Sequence, residues 1–189
     1  MKKLNLGCGE DIKQDHDNLD FSDFKGVDII LDIEKFPWDI KDNTYDYVFA
    51  SHILEHVKDL TKTMFELKRI CKDNAIIEIR CPHFSCGVTY RDPTHKTFIS
   101  YHTFDYYTDE CFYKNMPQFE IVERKLNFTR LAFTQLNYII NPIINLCPTL
   151  YERFFCWSLP CSEALFKLKV VKSHNHGKAL SKDEEVKNE

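Results

Sequence analysis

The segment Lys3-Leu-Asn-Leu-Gly-Cys-Gly9 constrains this chain more than any other. A short apolar strand runs directly into two glycines, in a chain of 189 residues that has only five. Glycine bends the backbone where other residues resist, and it lets a ligand lie against bare peptide units. At the carboxyl edge of a parallel sheet, that is where nucleotide-like ligands bind. The full dinucleotide fingerprint G-x-G-x-x-G is absent, so the pair takes its meaning from the rest of the chain.

Downstream of the glycines, short apolar runs recur. Leu4 to Leu6 is the first of the series and Asn18-Leu19-Asp20-Phe21 the second; Val27 to Ile33, Tyr45 to Ala50 and Ala75 to Ile79 continue it. The β-branched run Ile29-Ile30-Leu31 predicts a parallel sheet buried on both faces. Between the fourth and fifth runs, Leu60, Met64, Leu67 and Cys71 recur at helical spacing, with Lys62, Glu66, Lys68 and Arg69 opposite them. Strands alternating with helices predict an α/β fold, doubly wound about a mostly parallel sheet. Residues 81–108 read as loop, and Phe119 to Phe128 and Leu165 to Val171 as two late strands. The apolar stretch 129–164 reads as a helical insertion before the last strand, and Pro142, Pro148 and Pro160 exclude one long helix there. It is expected to lid an acceptor pocket, to form a homodimer interface or to touch a membrane surface. Residues 173–189 read as a polar, disordered tail, which leaves 1–172 as one domain.

Composition narrows the partners. Hydrophobic residues make up 43% and aromatics 14%, enough for a substantial core. A net charge of −4 argues against nucleic acid, whose binders carry a basic surplus that displaces counterions. The eight cysteines form no C-x-x-C pair and sit mostly in apolar runs, so they read as reduced thiols in a cytoplasmic protein. No apolar run approaches the roughly 20 residues of a spanning helix.

Four landmarks then fall in order: Leu4-Asn-Leu-Gly-Cys-Gly9, Asp20 closing Asn18-Leu-Asp, Asp32-Ile33, and Tyr45-Asp-Tyr-Val-Phe-Ala-Ser-His-Ile-Leu-Glu-His-Val57. Together they resemble the class I S-adenosylmethionine-dependent methyltransferases, in the branch with a Leu-Glu-His-Val element after the fourth strand. The resemblance implies a Rossmann-like, seven-stranded sheet and S-adenosylmethionine as cofactor. It assigns the Gly7-Cys8-Gly9 bend to the amino acid end of the cofactor. Asp20 would take both ribose hydroxyls, Asp32 and Ile33 the adenine edge, and Ser51 and His52 the sulfonium region. Two departures stand out. The stretch from Gly9 to Asp20 is too short for the usual first crossover helix. A glycine turn before the fifth strand is replaced by Lys72-Asp73-Asn74, whose asparagine suits a left-handed conformation.

The histidines carry the remaining chemistry. His52, Glu55 and His56 share one face if a helix has begun by residue 52. Cys81-Pro-His-Phe-Ser85 and Asp92-Pro-Thr-His-Lys-Thr-Phe98 bring His83 and His95 to the same sheet edge. Two readings stay open: a catalytic histidine among His52, His83 and His95 acts as general base toward a hydroxyl, or His52, Glu55, His56 and His95 hold a divalent metal that polarises it. The metal set has a parallel in the methyltransferases that modify the 3′-terminal ribose of small RNAs. Enzymes with Pro-His-Phe-Ser and Asp-Pro-Thr-His elements look like partners of surface-polysaccharide biosynthesis, which implies O-methylation of a small-molecule or glycan-like hydroxyl. The alternatives are an RNA 3′-end or lipid-linked acceptor, and a non-catalytic S-adenosylmethionine-binding regulator.

Overall fold

The structure, a computed structural model, describes residues 1–113 and 115–172. The expected disordered tail, 173–189, lies outside the described residues. Seven strands form one sheet: β1 (Lys3–Leu6), β2 (Asp17–Asp20), β3 (Ile29–Ile30), β4 (Tyr45–Ser51), β5 (Cys71–Pro82), β6 (Phe119–Asn127) and β7 (Glu163–Val170). Their order is β3-β2-β1-β4-β5-β7-β6. The first five pair in parallel, and β7 runs antiparallel between β5 and β6. This is the Rossmann-like arrangement of the class I fold, and its parallel strands end together along one carboxyl edge.

One face of the sheet is the core. Leu4, Leu6, Leu19, Val48, Ala50, Ile77 and Ile79 are fully buried there, with Met64, Leu67 and Ile70 of helix α1 (Leu60–Ile70). Asp59 caps α1, its carboxylate accepting the Lys62 amide at 2.9 Å. Asn74 takes φ +61°, as the turn chemistry required.

The opposite face differs from expectation. Tyr47, Glu78, Arg80, Lys167 and Lys169 alternate out of β4, β5 and β7 and are left partly or wholly exposed, and Ile30 is 61% exposed. The first two crossovers hold no helix; loop 10–16 is tied down instead, where the Asn5 amide donates to the Asp11 carbonyl at 2.7 Å and Asn18 accepts from the Lys13 amide at 2.9 Å. Phe49 is screened by cations, with Lys13 Nζ 4.7 Å and Arg80 Cζ 5.1 Å from its ring centre. Ten residues between β1 and β2 cannot supply a crossover helix and its turns, so polar side chains dress this surface.

The long link from β3 to β4 is held by α1, in a way that reverses one expectation. Glu66, placed by periodicity on the solvent face, is 9% exposed. Its carboxylate accepts the Trp38 amide at 2.7 Å and the Arg69 guanidinium at 2.6 Å, while Arg69 also donates to the Trp38 and Ile40 carbonyls. Burial opposes the Glu66 charge, but the bonds from Arg69 and Trp38 outweigh it and lower the carboxyl below its ordinary value. A depressed carboxylate contributes stability above its unfolded value near 4.5 and loses it as pH falls through the folded value. Glu66→Gln is therefore expected to cost roughly 2–3 kcal/mol at pH 7 and to flatten the acid side of the stability profile; thermal melts from pH 7 to pH 3 measure both.

The insertion turns at a left-handed Phe133 and continues as α3 (Asn137–Leu146) and α4 (Pro148–Phe154), with short α2 (Gly87–Arg91) earlier in the stretch read as loop. Helix α3 lies along β6 by a repeated device. Asn137, Asn141 and Asn145, four residues apart, accept the Thr129, Phe128 and Leu126 amides at 3.0, 2.8 and 2.8 Å. Asn137 and Asn145 also donate to the Thr129 and Leu126 carbonyls. Among the described residues no helix is long and apolar enough to cross a membrane.

Candidate active site

The bend after β1 is built as a cradle. Gly7 and Gly9 have φ of +64° and +50°, a region other residues enter at a cost. Their roles divide. A Cβ on Gly7 would stand 2.5 Å from Ile53, so this glycine is demanded by packing under the bend. A Cβ on Gly9 would meet nothing within 4 Å, so the space over its peptide is free for a ligand. Gly7→Ala is accordingly expected to lower stability by about 2–4 kcal/mol through strain and overpacking, read as a fall in Tm. Cys8 turns inward, 5% exposed, its thiol pushed up first by burial and then by Asp20. Only its backbone lines the bend.

Asp20 closes β2 beside the cradle, 6% exposed. One oxygen accepts the Gly9 amide at 2.9 Å and the other the Ser22 amide at 3.0 Å. Each carboxylate oxygen can accept twice, so one lone pair per oxygen stays available. Asp32 lies two residues beyond the short β3, its Oδ1 accepting the Glu34 amide at 3.0 Å. Ile33 is 9% exposed, and its carbonyl accepts the Trp38 indole at 2.9 Å. Ser51 ends β4 and lines a cleft of about 470 Å³ with Asp11, Lys13, Phe49, Arg80 and Arg130, beside the helix-free crossover. A bent backbone with free space, a carboxylate with spare lone pairs and a second carboxylate one strand further out fit a ribonucleoside with a cationic, amino acid–bearing end.

The histidines separate into three environments. His52 is left-handed, φ +55°, so the chain turns before any helix forms; only a three-ten turn, Leu54–His56, precedes α1. The expectation that 52, 55 and 56 share a helical face fails for that reason. The His52 ring is spent on two carboxylates, Nδ1 at 3.2 Å from Glu55 and Nε2 at 2.9 Å from Glu163. Burial disfavours its charge, yet the bonds to Glu163 and Glu55 prevail and raise it to about 9. Burial likewise raises Glu163, but its bond to His52 wins and holds the carboxyl below its ordinary value. Arg130 reaches the same pair from the insertion, its Nε 3.6 Å from Glu163. His52 is thus a clamp joining β4, β7 and the insertion, its nitrogens held by Glu55 and Glu163 with Arg130 Nη1 2.6 Å from Nε2.

His83 is fully buried. Its Nδ1 accepts the Ser85 amide at 3.2 Å, and its Nε2 therefore donates to Glu152 at 2.9 Å. Glu152 also accepts the Tyr101 amide at 2.5 Å. With both nitrogens used and no exposure, His83 fastens α4 to the end of β5 and has no nitrogen to offer an acceptor. Sequence spacing brings it to the right edge but cannot tell which way the ring faces.

His95 and His56 are different. Loop 92–98 docks on the three-ten turn, where the Glu55 carbonyl accepts the Lys96 and Thr97 amides at 2.7 and 3.0 Å. The two imidazoles then meet edge to face, centroids 4.7 Å apart, beside Glu55. Glu152, Glu163 and Arg130 were missed by motif reading, because each acts across more than 50 residues of chain. Phe128, with Phe133, Leu136 and Leu159 of the insertion and Cys86 and Gly87, lines an open apolar cavity of about 350 Å³.

The profile of a methyltransferase domain family matches residues 2–126. The chain belongs to that family. Its sheet order, its cradle and the family together make S-adenosylmethionine the cofactor of this methyltransferase domain. No curated protein matches the sequence. Among solved structures, a SAM-dependent methyltransferase from Archaeoglobus fulgidus is similar at 19% identity and TM-score 0.59, covering 89% of this chain and 85% of that one. A putative sarcosine dimethylglycine methyltransferase from Galdieria sulphuraria aligns at 13% identity and TM-score 0.58, over 90% of this chain and 78% of its own. An S-adenosylmethionine-dependent methyltransferase from Mesorhizobium loti aligns at 12% and TM-score 0.55, over 89% and 90%. At these identities the likeness is one of fold.

Proposed function

We propose that this methyltransferase domain, residues 1–172, transfers a methyl group to a hydroxyl of a small molecule or glycan, as a cytoplasmic enzyme of polysaccharide assembly. The observation that carries the reading is the rim: two imidazoles and an acidic side chain, Glu55, gathered at the turn that follows the carboxyl end of β4. S-Adenosylmethionine supplies a methyl on a sulfonium, which an attacking oxygen displaces to leave a neutral thioether. In this reading the Gly7-Cys8-Gly9 backbone flanks its amino acid end, Ser51 the sulfonium region, Asp20 takes the ribose hydroxyls, and Asp32 with Ile33 meets the adenine. The protein's share of the chemistry is alignment and an easier loss of the acceptor's proton. A hydroxyl needs that help at neutral pH, and the rim is equipped to give it.

A second reading, a lipid-linked acceptor, draws on the apolar cavity and on the outward Leu131 and Leu146 of the insertion, 91% and 87% exposed. The deciding experiment incubates the protein with labelled S-adenosylmethionine and matched free and lipid-linked sugars, followed by mass spectrometry. A gain of one methyl on oxygen supports the proposal. Titration calorimetry with S-adenosylmethionine and its demethylated product runs alongside it. Binding of both without transfer to any hydroxyl would favour a regulatory protein.

A further inference from the structure

The rim contains a detail that proton transfer alone leaves unexplained. Glu55 is 1% exposed, and its Oε2 has no hydrogen-bond partner among the described residues. A carboxylate oxygen buried without a partner is costly, because burial strips its hydration and nothing replaces it. The fully buried Cys81 thiol lies beside Glu55 and is at most a weak donor to it.

The two histidines beside Glu55 are preset in the same sense. His95 Nδ1 lies 3.1 Å from the Thr89 carbonyl. A carbonyl only accepts, so Nδ1 carries the proton and Nε2 presents a lone pair. Asp92 Oδ2 stands 3.8 Å from that Nε2, too far for a hydrogen bond. His56 Nδ1 lies 2.9 Å from Thr94 Oγ1, and the Thr94 hydroxyl donates to Asp92 Oδ1 at 2.6 Å. The Thr94 proton is committed, so Thr94 accepts from His56 Nδ1–H, and His56 Nε2 is also left bare. Both rings are fixed by outer partners in the tautomer a cation requires.

One ligand atom each from Glu55, His56 and His95 lie within 4.8 Å of one another. We propose that these three side chains form a divalent transition-metal site, with Thr89 and the Thr94–Asp92 pair as its outer support. Two imidazoles and one carboxylate suit zinc, manganese or iron, and three protein ligands leave a position open for an oxygen. Bonds of about 2.0–2.2 Å ask the ligand atoms to close by about an ångström, within the range of small rotations of these side chains. The His52 expected in the set is excluded, since both its nitrogens bind carboxylates. The site rests on the O-methylation reading for its use: a cation there would hold the acceptor oxygen and lower the pKa of its hydroxyl.

The test uses the full chain, stripped with chelator and titrated separately with zinc and manganese by equilibrium dialysis, and with cobalt(II) by visible absorption. The expected result is one zinc or manganese per chain and a cobalt spectrum of low coordination number. His95→Ala and Glu55→Gln should each weaken binding at least about 100-fold, and Thr94→Val about 10-fold, consistent with loss of an outer partner. Should His95→Ala fail to fold, His56→Gln serves in its place. No binding of zinc, manganese or cobalt by the parent protein, or binding that survives both ligand substitutions, overturns the site. Calorimetry with S-adenosylmethionine on the same samples separates the two ideas. Cofactor binding and hydroxyl methylation without metal would sink the cation alone. Metal binding without methylation of any hydroxyl would uphold the site and sink the O-methylation reading.

Discussion

Asp20→Ala is expected to weaken S-adenosylmethionine binding by at least about 100-fold, read by titration calorimetry. In the proposed pose the carboxylate offers its two spare lone pairs to two ribose hydroxyls. Each bond to a charged group contributes about 1.5–3 kcal/mol, and every 1.4 kcal/mol or so is tenfold in affinity. The substitution also strips the Gly9 and Ser22 amides of their acceptor, so the bend itself loosens. Asp20→Asn separates the two contributions, because its amide oxygen still serves one backbone donor while its NH2 faces the sugar. A parent-like affinity in both variants would show that the nucleoside lies elsewhere.

His95→Ala should act on the other half of the reaction. Turnover is expected to fall about 10²–10⁴-fold, the usual contribution of a positioned proton-handling group, with the Kd for S-adenosylmethionine unchanged. His95 sits on loop 92–98, and its ring's contacts are with Thr89 and His56, not with Asp20 or the glycine bend. The expected pattern is therefore a loss in kcat without a loss in cofactor affinity. Equal turnover in parent and variant would remove the histidine pair from the chemistry.

Much of the scaffold could be read from the residues. The strand-to-glycine junction, Asp20 at a strand end and the four landmarks in order led to the sheet that is observed, and Asn74 stands left-handed where a glycine was missing. The features that escaped depend on direction and distance. Nothing local announces that His52 turns left-handed and faces Glu163, 111 residues away. His83 and His95 look alike as loop histidines, yet one fastens α4 through Glu152 and the other packs on His56 beside Glu55. Glu66 sat on the polar side of the helical wheel and is nevertheless enclosed, because a loop without regular structure lies on it. The expectation of burial on both faces fails for a countable reason: the first crossovers are too short to carry helices.

The asparagine row of α3 carries a consequence for how copies of this molecule can meet. Sheets recruit one another through unsatisfied rims, and here the last turn of one rim is answered: Asn145 takes the Leu126 amide and donates to its carbonyl, and Asn141 and Asn137 take the Phe128 and Thr129 amides just past β6. The other rim is β3, two residues long, which offers too little template for a foreign chain. Strand addition is thereby discouraged at β3 and at the carboxyl end of β6. A second copy would meet instead the charged side of the sheet or the exposed apolar residues of the insertion, Leu131, Tyr138 and Leu146 among them.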